Sequence, residues 1–224
     1  MTASLSARVL DTLRETGLRG VWFKLLAEIG YRRLYLLRRG LEEPIPVGPL
    51  PAVIVTWLTR ESVCAYVAML STEDADVVED RLAVGDRCLV ALREGCIVGF
   101  MWGSKNRASS AWLGRELPLA VNEACLFDAY TVPRCRGLGI APALSLAWLR
   151  VLREEGCVAA IILTLPENVA ALRAYAKAGF RIVAIVRSLR VGPWLHDFPV
   201  QPIPATIAAD ISTACRLSSG GNSH

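Results

Sequence analysis

The sequence predicts an α/β fold: a mixed, partly parallel central sheet flanked by helices, with extra helices at the N-terminus. Three observations carry that expectation. Two apolar, β-prone runs, Cys125-Leu126-Phe127-Asp128-Ala129-Tyr130-Thr131-Val132 and Val158-Ala159-Ala160-Ile161-Ile162-Leu163-Thr164-Leu165, bracket a segment where Leu144, Trp148, Val151 and Leu152 recur at helical spacing. The second run lacks polar alternation apart from Thr164, the pattern of a strand covered on both faces. A glycine turn, Arg136-Gly137-Leu138-Gly139-Ile140-Ala141, separates the first run from the helix, so strand, helix and strand form a βαβ-like unit.

The remaining elements follow in chain order. Residues 1–48 read as a helical extension in two segments. Leu18 to Leu37 contains Trp22, Phe23, Leu25, Leu26, Ile29, Tyr31, Tyr35, Leu36 and Leu37, with Arg19, Lys24, Arg32 and Arg33 interspersed and Arg38 and Arg39 following. Its apolar residues spread around most of a helical circumference, which favours burial over a clean membrane face. Such a helix caps the domain or pairs subunits as a homodimer, lies on an anionic membrane surface, or docks a carrier protein or bulky acceptor. Val53-Ile54-Val55 begins a strand, and Arg60 to Leu70 and Asp74 to Leu82 read as helices. A hairpin follows, with arms Cys88 to Leu92 and Ile97 to Trp102 and a turn at Glu94-Gly95. Beyond the βαβ-like unit, Pro166-Glu167-Asn168 opens a helix with Asn168 as its cap, and Gly179 closes it where a left-handed residue is favoured. Phe180 to Val191 is a long β-prone stretch ending at Gly192-Pro193. The main domain thus covers residues 49–200, and 201–224 form a tail, partly disordered at its tip.

The glycine turn has the chemistry of an anion site. Gly137 and Gly139 let backbone approach a ligand closely, and the first N–H groups of the following helix point outward with the positive end of the dipole behind them. Pro142 fits the first helical turn but removes one donor. In the later helix, Asn168, Leu172 and Tyr175 share one face, so the Tyr175 phenol projects beside the strand that precedes it.

At these residues the chain resembles the GNAT superfamily of N-acetyltransferases. The family's Gln/Arg-x-x-Gly-x-Gly/Ala nucleotide motif is met by Arg136 to Ala141, and its later Asn…Ala…Tyr…Gly-Phe motif by Asn168 to Phe180, in the right order. The resemblance extends more loosely from Pro51 to Leu195. It implies acetyl-coenzyme A (acetyl-CoA) as acyl donor, bound by Arg136, Gly137, Leu138, Gly139, Ile140 and Ala141, with Asn168 as helix cap or as a cap that also touches the coenzyme. It also implies two central strands that splay around the pantetheine arm. The main chain at Tyr130, Thr131 and Val132 would pair with that arm, and Tyr175 would protonate the departing thiolate unless it only packs beside Phe180. The family's acceptor is an amine, here of a small molecule, sugar or peptide. Two alternatives stay open: a long-chain N-acyl amino acid synthase fed by an acyl-carrier protein, and a noncatalytic coenzyme-binding regulatory domain.

The base that would deprotonate the amine is less plainly written. Glu123 and Asp128 lie on or just before the first apolar run, and their odd spacing should turn them to opposite sides of a regular strand. Asp128 is the first choice, being mid-strand among apolar neighbours; pairing with one of the many arginines is the competing role. Leu163 and Leu165 offer no carboxylate on the second strand.

Composition narrows the alternatives. With 53% hydrophobic residues in 224, the chain can bury a substantial core. A net charge of +4 is too mild to point to nucleic acid. Seven cysteines contain no CxxC pair and read as reduced thiols of a cytoplasmic protein, neither metal ligands nor a disulfide framework; Cys135, near the glycine turn, is the one placed for modification. Lys24 and Glu28 interrupt the only long apolar stretch near the start, so neither a signal peptide nor a membrane span is expected. His196 sits among Pro and Trp without a motif, which leaves a Ser-His-Asp relay unsupported.

Overall fold

The computed structural model describes residues 30–46, 52–70, 74–110, 115–191 and 193–204. Its centre is a nine-stranded sheet made of β1 (Tyr31–Gly40), β2 (Ile54–Trp57), β3 (Arg87–Arg93), β4 (Cys96–Ser104), β7 (Glu123–Thr131), β8 (Ala159–Thr164), β9 (Arg181–Val191), β10 (Trp194–Asp197) and β11 (Gln201–Pro202). The strand order is β10-β9-β1-β8-β7-β4-β3-β2, with β11 also pairing β9. Gly103 to Asn122, which includes Trp112, reads from the sequence as loop, yet it contains a separate two-stranded hairpin, β5 (Ala108–Ser110) and β6 (Arg115–Leu117). Trp112 falls outside the described residues.

Among the described residues, four helices flank the sheet: α1 (Val63–Leu70), preceded by a 3-10 turn at Arg60–Ser62; α2 (Ala75–Ala83); α3 (Ile140–Glu154); and α4 (Val169–Lys177). On one face, Leu144, Trp148 and Leu152 of α3 and Leu172 and Tyr175 of α4 share a core with Leu126 and Ile162. On the other, Val63 and Tyr66 of α1 and Val78 of α2 pack against Val90, Phe100 and Trp102. A third cluster joins Leu117 of the small hairpin to Leu34, Cys125, Ile161 and Val186. Among the described residues, no helix is long and apolar enough to cross a membrane.

The N-terminal helices are corrected over the part the structure describes. Residues 31–40, expected to be largely helical, form β1 in the middle of the sheet, antiparallel to both neighbours. Tyr35 pairs with Thr164 and Gly40 with Ala159 on one side, while Tyr31 pairs with Leu189 and Arg38 with Arg181 on the other. A central strand is apolar on both faces, so its hydrophobic pattern looks like that of a helix buried all round. The rest of that helical expectation, residues 18–29, lies outside the described residues.

The chain after β1 is fastened to the core by backbone and by arginine. The Leu41 N–H donates to the Val158 carbonyl at 2.9 Å, and Arg153 Nε of α3 donates to the Leu41 carbonyl at 2.8 Å. Arg39 is 4% exposed, pairs with Glu43, and donates from Nη2 to the Pro44 carbonyl at 2.7 Å.

Candidate active site

β7 and β8 are parallel, and they pair only from Glu123 opposite Ala159 to Leu126 opposite Ile162. Past that point β8 continues to Thr164 beside β1, and β7 continues to Thr131 beside β4. From Phe127 onward the β8 side of β7 therefore has no strand partner among the described residues, and its backbone groups form an open edge. The residues Tyr130 and Thr131, expected to offer main chain to a ligand, lie on this open edge.

A bulge marks the start of the opening. Phe100 faces Tyr130 and Trp102 faces Phe127, so the single Met101 stands opposite both Asp128 and Ala129. Asp128 adopts φ 43°, a left-handed conformation that Asp tolerates better than most residues. The extra residue inverts the alternation of side chains: Phe127 and Tyr130, three apart, pack against the same cluster. The odd-spacing argument for Glu123 and Asp128 assumed an unbroken pleat, which holds from Glu123 to Phe127 and is interrupted at Asp128.

The two carboxylates have different settings. Asp128 is half exposed beside the opening, and its Oδ2 lies 2.9 Å from Arg81 Nη1 of α2. Glu123 stands at the other end of β7, about 16 Å away at the strand's rise per residue. There its Oε1 pairs with Arg38 Nε of β1 at 3.0 Å. The structure brings Asp128 to the opening and leaves Glu123 out of it. Both carry the arginine partner that the sequence left open for Asp128.

The glycine turn is formed as its sequence implies. After Val132 and a 3-10 turn at Pro133–Cys135, Gly137 and Gly139 take φ 81° and 80°, and Gly139 is the N-cap of α3. A Cβ built on either glycine would meet nothing within 4 Å, so the turn faces open space. The first i to i−4 bond of α3 runs from the Ala143 N–H to the Gly139 carbonyl at 3.1 Å. The N–H groups of Ile140 and Ala141 therefore have no helical acceptor, and Pro142 has none to offer. Arg136 is exposed, and its Nε lies 3.3 Å from the Thr131 carbonyl, tying the turn back to the open edge of β7.

The later motif is a start signal and a stop signal on α4. Asn168 Oδ1 accepts from the Ala171 N–H at 3.1 Å, the side-chain cap predicted for it. At the other end the Phe180 N–H donates to the Tyr175 carbonyl and the Gly179 N–H to the Ala176 carbonyl, each at 3.0 Å, with Gly179 at φ 88°. That pairing is a Schellman stop, and its usual apolar contact is the edge-on packing of Tyr175 with Phe180, ring centres 6.0 Å apart. The spacing from Tyr175 to Gly179-Phe180 thus fixes where the phenol sits. Arg33 of β1 adds a second tie by pairing with Glu167, next to the cap.

Tyr175 is 7% exposed. Burial pushes its phenol up to about 12, and the charges of Asp128 and Cys125 act in the same direction. The phenol thus stays protonated throughout the neutral range and keeps a proton to donate. Cys125 is pushed up to about 12 by burial, with Asp86 and Asp128 adding to it, so this thiol is inert at neutral pH. Cys135, expected to be open to modification, is 5% exposed and belongs to the α3 core. His196 is exposed on β10 with Phe198 edge-on at 4.8 Å. Among the described residues, no group of three or more His, Cys, Asp or Glu is arranged to hold a metal ion.

Sequence reasoning missed Arg81 and Arg33. Both lie on elements remote in sequence from the residues they pair with, and neither carries a local motif.

A parallel strand pair whose pairing ends beside a glycine turn, with a buried phenol on the following helix, is the layout that the resemblance to the N-acetyltransferases implies. Residues 55–180 match the Acetyltransferase (GNAT) family, and the chain belongs to that family. A curated relative, a mycothiol acetyltransferase of Brachybacterium faecium, is 29% identical over 172 residues, 67% of this chain and 49% of the relative. The chain therefore spans about half the length of the curated relative it matches. Two solved structures share the fold. One is the glucosamine N-acetyltransferase region of a fungal multi-domain β-N-acetylglucosaminidase, with a TM-score of 0.55 and 12% identity over 79% of this chain and 22% of that one. The other is a protein of Novosphingobium aromaticivorans assigned to the GNAT family, with a TM-score of 0.50 and 21% identity over 70% and 65%.

Proposed function

We propose that the protein transfers an acetyl group from acetyl-CoA to an amine by direct attack of the amine on the thioester. The observation that carries this reading is the unpaired edge of β7 from Phe127 to Thr131, which ends at the glycine turn. The two features suit the two ends of one ligand. The free amides at the start of α3 offer donors to a pyrophosphate, and a strand edge without a partner offers alternating donors and acceptors to an amide-bearing arm. The absence of any atom within 4 Å of a Cβ on Gly137 or Gly139 leaves the approach clear.

Bound acetyl-CoA would supply an activated carbonyl and a thiolate leaving group. The chain's own residues do the rest. A backbone N–H on the open edge of β7 donates to the carbonyl oxygen as charge develops there. Tyr175, protonated and buried, gives its proton to the sulfur as the C–S bond breaks. Asp128 accepts a proton from the amine as the C–N bond forms. Tyr175 is then reprotonated from water, and the overall reaction of an ammonium ion releases one proton. Tyr175 is supported by its motif and its burial, and Asp128 by its mid-strand place among apolar neighbours and its exposure beside the open edge.

The test is turnover with acetyl-CoA and a panel of small amines, amino sugars and peptides, following free thiol and the acetylated product by mass spectrometry. The reading expects thiol and product in equal amounts. Thiol release no faster than in buffer across the whole panel, by a protein that binds acetyl-CoA, would overturn it.

A further inference from the structure

Asp128 stands on a bulge of β7 beside the point where its pairing with β8 ends, and Arg81 reaches it from α2. The guanidinium carbon of Arg81 also lies 5.3 Å from the centre of the Trp102 ring. That ring is fully buried and fixed by its indole N–H, which donates to Tyr66 Oη at 2.9 Å. The Arg81 side chain is 25% exposed, although its Nη1 is buried, and that of Asp128 is 51% exposed. Ion pairs this exposed contribute little to the fold. The left-handed backbone at Asp128 is unfavourable for a residue with a side chain, and such backbone is commonly kept at functional sites.

The pair also conflicts with the role of base. While Arg81 holds the carboxylate, accepting a proton would forfeit the ion pair. A ligand that gives Arg81 another anion removes this conflict. We infer that the acceptor carries a carboxylate on the carbon that bears its amine, and that Arg81 selects it. Resting on the acetyl-transfer reading above, this adds a substrate class to it.

The geometry favours an α-amino carboxylate over a longer amino acid. Arg81 Nη1 and Asp128 Oδ2 are 2.9 Å apart, and a substrate with both charges on one carbon can face two groups in contact. Its carboxylate takes the guanidinium, where planar donors match it, and its ammonium takes the Asp128 carboxylate. One exposed pair is exchanged for two charge-assisted ones. The ammonium loses one proton to solvent through Asp128. Its nitrogen then forms the C–N bond and loses a second proton to Asp128, while the C–S bond breaks and sulfur takes the proton of Tyr175. A neutral amine leaves Arg81 on Asp128 and the base engaged.

The test compares matched pairs of an amino acid and its carboxamide as acceptors, with wild type, Arg81→Met and Arg81→Lys. Wild type should favour the acid in kcat/KM by roughly tenfold to a hundredfold, the worth of one charge-assisted contact. Arg81→Met should erase that preference mainly through KM for the acid, and Arg81→Lys should restore part of it. The acid-to-amide ratio of wild type decides the matter even if a variant fails to fold. Acids and amides acetylated equally, no acid acetylated at all, or a preference that survives Arg81→Met would overturn the inference. The thermal midpoint with acetyl-CoA separates this from the underlying reading. A shift combined with any of those results sinks the substrate class alone, and no shift in wild type sinks acetyl transfer with it.

Discussion

Tyr175 is a packing residue to which the proposed reaction also gives a proton to donate. Its ring closes the Schellman stop against Phe180, and the same burial keeps its hydroxyl protonated. Tyr175→Phe preserves the ring and removes the proton, so kcat should fall by about 10²-fold or more while KM for acetyl-CoA changes little, as steady-state kinetics would reveal. With the phenol pushed up to about 12 from 10.0, wild-type activity should show no alkaline loss due to Tyr175 below about pH 11. The sign for stability follows: the unfolded phenol ionises first as pH rises. The neutral-phenol contribution is therefore complete below pH 10.0 and lost toward about 12, and urea midpoints of wild type and Tyr175→Phe should diverge over that window. Gly179 invites a simpler test. At φ 88°, with Arg39 Nε 2.9 Å from where a Cβ would sit, Gly179→Ala should cost about 1–3 kcal/mol in urea unfolding. These residues were legible in the sequence because capping and stopping are local. The setting of Asp128 was not, since the bulge exists only through the register of β7 against β4.

Among the elements, β1 most changes the picture drawn from sequence. It lies outside the matched residues 55–180, yet it pairs with β8 and β9 along nearly its whole length. Through Arg33 and Glu167 it reaches the cap of α4, and through Arg39 it covers Gly179. The strand-helix-strand unit, the hairpin and α4 were all readable because each has a period and a punctuating glycine or cap. A two-faced strand inserted from the N-terminal side has neither, and its apolar residues on both faces made it look like a helix buried all round. The assignment has a sharp consequence. Leu36 pairs with Leu163 on one side and Ala184 on the other, so Leu36→Pro should remove a ladder bond and cost about 3 kcal/mol or more. An unchanged thermal midpoint would mean that residues 31–40 do not belong to the sheet.

At the scale of the whole molecule, the sheet is a frame that holds two strands apart. β4 and β3 support β7 on one side, and β1 and β9 support β8 on the other. α3 and α4 both pack on one face of that sheet. The folding unit is longer at both ends than the stretch that matches the family, since β1 precedes it and β9 to β11 follow it. The fold class and the order of the central elements were written in the sequence as periodicity and glycine positions. The pairing that opens the cleft is a property of the assembled sheet.

That cleft carries the central claim, and binding of acetyl-CoA tests it most directly. The measurement is the thermal midpoint of wild type and of a Gly137→Ala, Gly139→Ala variant, each with and without acetyl-CoA. The two methyl groups would stand in the space now open over the α3 amides. At a hundredfold excess over its dissociation constant, acetyl-CoA should stabilise wild type by about 2.7 kcal/mol, a shift of several degrees. The variant, although itself less stable, should lose most of that shift. No shift in wild type, or an equal shift in the variant, would contradict the account.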